Sequence, residues 1–275
     1  MYKKKQKDNN IIGDKMKTIL FTGARSGIIN KVIDNIINLN YYIYLTVHTN
    51  SELKSVKTKY KNNKNVKCFK LDVTNKKDRD KLKNLNIDIL VSNAACGHSG
   101  SMAEINMNKV RNNFEINVFS NFEIIQIVLK NMIKKKQGKI IIISSLGGTI
   151  PMPFLGSYSA TKASLTKMAE ALNIELKLLE SNIKTSIILP GLYNTGFNKL
   201  MFDEKYDFME IDSYFKKQIE LIKKSENLIL KLFQKNNLNS IVKKITTAIT
   251  TKNPKLTYKA PLSQVIFSKI YNLIT

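Results

Sequence analysis

The run Lys139-Ile140-Ile141-Ile142-Ile143-Ser144 places four isoleucines in succession. A strand alternates its side chains between two faces, so four consecutive β-branched apolar residues leave neither face for water. Such a strand has to be covered on both sides, the condition of a parallel sheet sandwiched between helices. Similar strands are expected near 17–22, 41–47, 66–71, 87–92, 184–189 and 256–259, besides this one at 139–144. Helices are expected near 27–38, 51–60, 75–84, 108–134, 157–180, 205–235 and 239–251. Strand and helix alternate, which predicts an α/β, doubly wound architecture: seven parallel strands with helices on both faces. On the long helix at 108–134, Phe114, Val118, Phe122 and Ile125 make an apolar stripe at helical spacing.

The 275 residues are enough for one large unit with a sizeable core, and no repeat or low-complexity linker divides them. Residues 16–275 are read as a single domain. Residues 1–15 carry Lys3, Lys4, Lys5 and Lys7 with no apolar segment behind them, and are read as a basic disordered tail, not a secretory signal. No stretch of 18 or more uninterrupted apolar residues occurs, so no membrane-spanning helix is expected. Cys68 and Cys96 fall in unrelated elements, which points to a reducing compartment and a cytoplasmic location. The formal charge of +24 invites a nucleic-acid reading, but Arg25, Arg79 and Arg111 are the only arginines. Base and phosphate recognition draws on the bidentate guanidinium, so the lysines are assigned to solvated faces and no specific nucleic-acid partner is expected. Peripheral contact with an anionic surface stays open, through the charge or through Leu262 to Ile274 as an interfacial helix. Packing of that helix on its own domain or on a partner subunit is the simpler reading.

Tyr158 and Lys162 stand four apart in Ser157-Tyr158-Ser159-Ala160-Thr161-Lys162, a spacing that points a phenol and an ammonium the same way on a helix. A fixed positive charge beside a phenol favours the phenolate and lowers a pKa that is ordinarily about 10. Ser145 lies at the carboxyl end of the isoleucine strand, where open α/β sheets bind ligands. Much earlier, Ile19-Leu20-Phe21-Thr22-Gly23-Ala24-Arg25-Ser26-Gly27-Ile28 reads as strand, glycine turn and helix start. That order lays backbone N–H groups and a helix N-terminus against a pyrophosphate.

Together these residues resemble the short-chain dehydrogenase/reductase family. The matching elements are Thr22-Gly23-x-x-x-Gly27-Ile28, Asp72-Val73, Ser92-Asn93-Ala94-Ala95, Asn117, Ser145, Tyr158-x-x-x-Lys162 and Pro190-Gly191 followed by Thr195, in order from about Lys17 to Phe197. The resemblance implies a Rossmann fold and NAD(P)-dependent interconversion of a carbonyl and its alcohol. It makes Asn117, Ser145, Tyr158 and Lys162 the catalytic tetrad: Tyr158 moves the proton, Ser145 holds the substrate oxygen, Lys162 lowers the Tyr158 pKa and bonds the nicotinamide ribose, and Asn117 anchors a relay water. It assigns the cofactor to Thr22, Gly23, Arg25, Ser26, Gly27, Ile28, His48, Asp72, Val73, Asn93, Ala94, Pro190, Gly191 and Thr195. Asp72 would lie beside the adenine and Thr195 near the carboxamide. The end of the second strand, Leu45-Thr46-Val47-His48-Thr49-Asn50, has no acidic residue to reject a 2′-phosphate, and with Arg25 this tilts the expectation to NADP over NAD. The resemblance also implies a homodimer or homotetramer.

Two positions depart from the family pattern. Ile29 occupies a usual third glycine, where it is expected to crowd the first helix against the sheet or cofactor, and Ala95 replaces a glycine. A degenerate, non-catalytic cofactor-binding or scaffold protein is therefore an alternative. Substrate contacts are expected from Ser145, Met152, Phe154, Leu155, Tyr158, Leu192 and Tyr193, making an apolar wall, with residues 198–238 as a lid. The C-terminal part resembles the branch of 17β-hydroxysteroid and retinol dehydrogenases and their bacterial relatives, which handles apolar alcohols and carbonyls. A β-ketoacyl-carrier-protein reductase is the further alternative.

Overall fold

The computed structural model describes residues 16–274. Strands β1 (Lys17–Phe21), β2 (Tyr41–Val47), β3 (Val66–Lys70), β4 (Ile89–Ser92), β5 (Gln137–Ile143), β6 (Asn182–Pro190) and β7 (Thr257–Ala260) form one seven-stranded sheet. All its pairings are parallel, and the order is β3-β2-β1-β4-β5-β6-β7. The chain winds outward from β1 to β3, then returns to place β4 on the other side of β1. A crevice opens outside the strand ends at that reversal, where α/β sheets bind ligands. The basic tail expected at 1–15 lies outside the described residues.

The connecting helices are α1 (Gly27–Ile36), α2 (Asn50–Lys59), α3 (Lys76–Asp80), α4 (Met107–Phe114), α5 (Asn121–Lys135), α6 (Gly156–Leu178), α7 (Phe197–Asp203), α8 (Tyr206–Ile211), α9 (Ile219–Phe233), α10 (Asn239–Thr250) and α11 (Leu262–Ile274). The isoleucine run behaves as its composition requires. Ile141 and Ile143 enter the core beneath α1 and α10, while Ile140 and Ile142 enter the core beneath α5 and α6. Each fully buried aliphatic side chain contributes about 1.5–3 kcal/mol, so this one strand ties the two layers together. Among the described residues no helix is long and apolar enough to cross a membrane.

Two expected helices are interrupted. The helix expected at 108–134 holds a π-helical segment, Glu115–Ser120, between α4 and α5. One residue too many per turn leaves carbonyls without their usual partners. The Asn121 side chain supplies them, donating to Ile116 O at 2.8 Å and Asn117 O at 3.2 Å. Of the apolar stripe, Val118 and Ile125 are buried and Phe122 packs on the core, while Phe114 turns outward beside Phe119. The helix expected at 205–235 breaks between α8 and α9. Glu104 holds the break, accepting from Ser213 Oγ at 2.5 Å and Tyr214 N at 2.9 Å.

Ile29 does not crowd the crevice. It is fully buried in the layer formed by α1, α10 and the sheet, and it is absent from the cavity lining. Its side chain belongs to the same core cluster as the apolar face of α10, so the expected crowding of the crevice is not seen. Ile29→Gly should therefore lower stability by about 4 kcal/mol, combining a large-to-small core cavity with the helix cost of glycine. Urea unfolding followed by circular dichroism checks this; a loss below about 1 kcal/mol would contradict the packing.

Candidate active site

Three strand ends build the floor of the crevice. Thr22, fully buried after β1, accepts through its hydroxyl from Asn93 N at 2.9 Å and Ala94 N at 3.1 Å. The Asn93 side chain answers by donating to Gly23 O at 2.9 Å and Thr22 O at 3.2 Å. These bonds consume the polar groups of Thr22 and the amide of Asn93, so both residues shape the crevice by locking β1 to β4. Gly23 has φ +62°, and a Cβ there would lie 3.0 Å from Ala94 Cα. Backbone conformation and close approach both require glycine at this position.

The segment after β5 meets α6. Ser144 Oγ donates to Lys162 O at 2.9 Å, and Lys162 Nζ donates to Ile143 O at 3.2 Å. Ser145 Oγ accepts from Gly147 N at 3.0 Å and donates to Pro190 O at 3.5 Å, on the same cavity wall as the Tyr158 phenol. A Cβ on Gly148 would stand 2.8 Å from Ala163 N and from the Lys162 carbonyl carbon, so a bare backbone is needed for the loop to reach the helix. Gly147 and Gly148 escaped the sequence reading, since a loop glycine announces no contact of its own.

Tyr158 and Lys162 share the buried face of α6, with the ammonium 5.7 Å from the ring centroid. Their electrostatics differ from the sequence expectation. Burial pushes the Tyr158 phenol up to about 12, against the opposing hydrogen bond from Ser145. Burial likewise draws the Lys162 ammonium down to about 8. Desolvation disfavours the charged form of each group, so it moves the phenol up and the ammonium down. At neutral pH the phenol carries its proton.

Asn117 sits within the π-helical segment and is fully buried. Its carbonyl oxygen accepts from Cys96 N at 2.9 Å, and its amide donates to Cys96 O at 2.9 Å and Thr161 Oγ1 at 3.0 Å. The side chain therefore clamps the loop after β4 to α6. Cys96 lines the cavity, and burial raises its thiol to about 11, an unreactive value.

A cavity of about 700 Å³ joins these parts. Ser145, Tyr158 and Lys162 line it together with Ile143, Pro190, Gly191 and Thr195. Gly23, Arg25, Ser26, Gly27, Ile28, His48, Asp72, Val73, Asn93 and Ala94 line it as well. Helix α1 opens onto it with no side-chain cap and no acidic residue in its first turn. Unpaired amide donors and the positive end of a helix suit a pyrophosphate, so the residues present fit a dinucleotide. Asp72 is held by Thr74 N at 2.9 Å and Thr74 Oγ1 at 2.8 Å, and stands 3.7 Å from His48 Nε2. Burial raises its carboxyl, but the Thr74 bonds and His48 hold it below the usual carboxylate range. Glu52, three positions into the capping box that starts at Thr49, is among the lining residues outside the expected set. The Thr49-x-x-Glu52 signature was its available signal.

The expected substrate wall is distributed differently. Met152, Phe154, Leu155 and Leu192 do not line the cavity. Leu155 and Met152 pack around Tyr158 with Met201 and Phe202, and Phe154 turns to Phe215, their rings 5.3 Å apart. Leu192 is bound through its backbone to Gln264 Oε1 at 2.7 Å. Tyr193 reaches the lining but is fully buried in the core, its hydroxyl 2.7 Å from Ser240 Oγ. Phe197, Asn198 and Leu200 from α7, with His98, Asn112 and Ile116, line the cavity. Glu204, just past α7, fixes that helix by accepting from Ser99 N at 3.1 Å, while its other oxygen lies 2.7 Å from His98 Nδ1 and 3.0 Å from Lys109 Nζ.

A family model described as short chain dehydrogenase matches residues 17–205. A 3-ketodihydrosphingosine reductase of Bacteroides thetaiotaomicron is 29% identical over 260 residues, covering 91% of this chain and 90% of that protein. Among solved structures, a serine dehydrogenase complexed with NADP+ is 21% identical with a TM-score of 0.74, over 90% of this chain and 96% of that one. A short chain dehydrogenase/reductase from Burkholderia phymatum in complex with NAD is 17% identical with a TM-score of 0.77, over 94% and 93%.

The depressed ammonium of Lys162 carries a stability cost. Its folded value, about 8, lies below the ordinary 10.5. The native state is penalised below pH 8, and the penalty fades as pH rises toward 10.5. Lys162→Met should raise stability at pH 7 by about 2 kcal/mol, the pKa cost less one lost hydrogen bond. The advantage should shrink between pH 8 and 10.5. Denaturant midpoints of both proteins across that range test it; a pH-independent difference would contradict the assignment.

Proposed function

Because this chain belongs to the short chain dehydrogenase family, oxidoreductases acting on CH–OH groups, we propose that it interconverts an apolar carbonyl compound and its alcohol with Tyr158 as general acid and base. The observation that carries this reading is the convergence of Ser145, Tyr158 and Lys162 in the cavity onto which the uncapped N-terminus of α1 opens. A bound nicotinamide supplies the hydride chemistry that no side chain can perform. The turn from Thr22 to Ile28 would hold its phosphates, Asp72 and Val73 the adenine, and Thr195 with Pro190 and Gly191 the nicotinamide end. Arg25 and His48 are the groups able to receive a 2′-phosphate, which supports a preference for NADP.

During reduction, Ser145 holds the substrate oxygen and Tyr158 gives it the phenolic proton. A phenol near 12 is protonated at pH 7 and so has a proton to give to a substrate carbonyl. The Lys162 ammonium beside the ring stabilises the phenolate left behind. Asn117 acts as a positioning residue, keeping the loop after β4 at a fixed distance from α6.

Residues 198–238 serve as a lid. Phe197, Met201, Phe202 and Leu230 bring apolar surface to Tyr158, which favours a substrate with an apolar body. The full-length relative is named for reduction of a ketone, so long-chain ketones are the compounds to try first. Exposed Phe119 and Met107 beside α4 suit a homo-oligomeric contact, and the free thiols Cys68 and Cys96 suit a cytoplasmic setting.

Purified protein mixed with NADPH and long-chain ketones should show loss of nicotinamide absorbance. Tyr158→Phe should slow that reaction about 10²–10⁴-fold, the usual worth of a positioned acid, while nicotinamide binding persists. Saturable binding with no turnover across a broad carbonyl panel would instead identify a cofactor-binding scaffold.

A further inference from the structure

Arg25 and His48 are the cationic groups offered to a 2′-phosphate, yet the structure places a carboxylate between them. Glu52 Oε1 pairs with Arg25 Nη1 at 3.0 Å. Glu52 Oε2 accepts from His48 N at 3.0 Å and Thr49 N at 3.1 Å, closing the capping box of α2. Both oxygens are therefore engaged, and the side chain is mostly buried at 19% exposure while Arg25 stays at 73%. The anchoring is asymmetric. Glu52 is fixed to the backbone of a helix start, and Arg25 is an exposed side chain that reaches to it. All three residues line the cavity, as does Asp72, which lies 3.7 Å from His48 Nε2. Arg25 thus already has a carboxylate partner, and the His48 ring has Asp72 close by.

We infer that Glu52 is a specificity-determining residue, a fixed carboxylate that competes with a cofactor 2′-phosphate for Arg25 and so keeps the preference for NADP over NAD small. The inference rests on the proposed nicotinamide site and concerns how that site discriminates. A 2′-phosphate has to take Arg25 from Glu52 and tolerate the carboxylate beside it. A ribose hydroxyl meets no such repulsion and can donate to a carboxylate. The sequence-based preference counted Arg25 and His48 without the acid that folding brings to them.

Glu52→Gln tests this with little risk to the fold, because glutamine preserves an acceptor at the third position of a capping box. Calorimetric titrations with NADPH and NADH should be run on wild type, Glu52→Gln, Arg25→Gln and the double variant. The expected result is that Glu52→Gln tightens NADPH about tenfold or more and leaves NADH within about twofold, tenfold being about 1.4 kcal/mol. Adding Arg25→Gln should remove that gain. The inference is overturned if Glu52→Gln shifts both cofactors equally, shifts neither, or gains NADPH affinity that survives loss of Arg25. Failure of wild type to bind either nucleotide would instead overturn the nicotinamide reading, and this inference with it.

Discussion

The two-sided burial of β5 is the constraint on which the rest depends. Four consecutive isoleucines are stable only with a helical layer on each face, and satisfying both faces fixes where the strand must stop. At that stop the backbone is handed to α6: Ile143 O receives the Lys162 ammonium, Ser144 bonds the Lys162 carbonyl, and Ser145 meets Tyr158. These residues are held by the same packing that makes the core. A small shift of β5 would move all three partners together.

That arrangement has an energetic cost inside the site. Tyr158 and Lys162 are both nearly without water, and desolvation moves each toward its neutral form, the phenol up and the ammonium down. Among the described residues the buried Lys162 ammonium is held by one carbonyl hydrogen bond and the Tyr158 ring, which offsets little of the cost of burying it. Its retention is understandable if the charge is used, and stability is given up where chemistry needs it. The far end of the crevice has the opposite character, with exposed Arg25 paired to Glu52 and His48 close to Asp72, carboxylates that are themselves anchored to helix and loop backbone.

Asn117 shows how an irregular element serves the site. A regular helix through residues 115–120 would present different side chains to Cys96 and Thr161. The π-helical turn brings Asn117 to both, and Asn121 satisfies the carbonyls that the wider turn releases. On the other side, α7 is secured by Glu204, whose contacts with Ser99 and His98 reach the same loop that Asn117 clamps. The loop after β4 is thus gripped from two directions.

The sequence by itself determined the sheet, its parallel sense and the pairing of Tyr158 with Lys162. All of these are periodic or local: apolar runs declare buried strands, and four residues along a helix return to one face. The glycine turn was equally legible, because Gly23 needs a backbone conformation other residues avoid. Only the tertiary structure decided what depends on direction and on distant partners. Ile29 looked obstructive until α10, more than two hundred residues later, provided its pocket. The breaks at 115–120 and 212–218 follow from Asn121 and Glu104 contacts that helical periodicity does not encode. Glu52 lies beyond the end of β2, which carries no acid of its own, and the first turn of α2 brings it back to Arg25. Loop residues such as Met152 and Phe154 were placed by the helices beyond Gly196 and not by any pattern of their own, since a loop takes its shape from what packs on it.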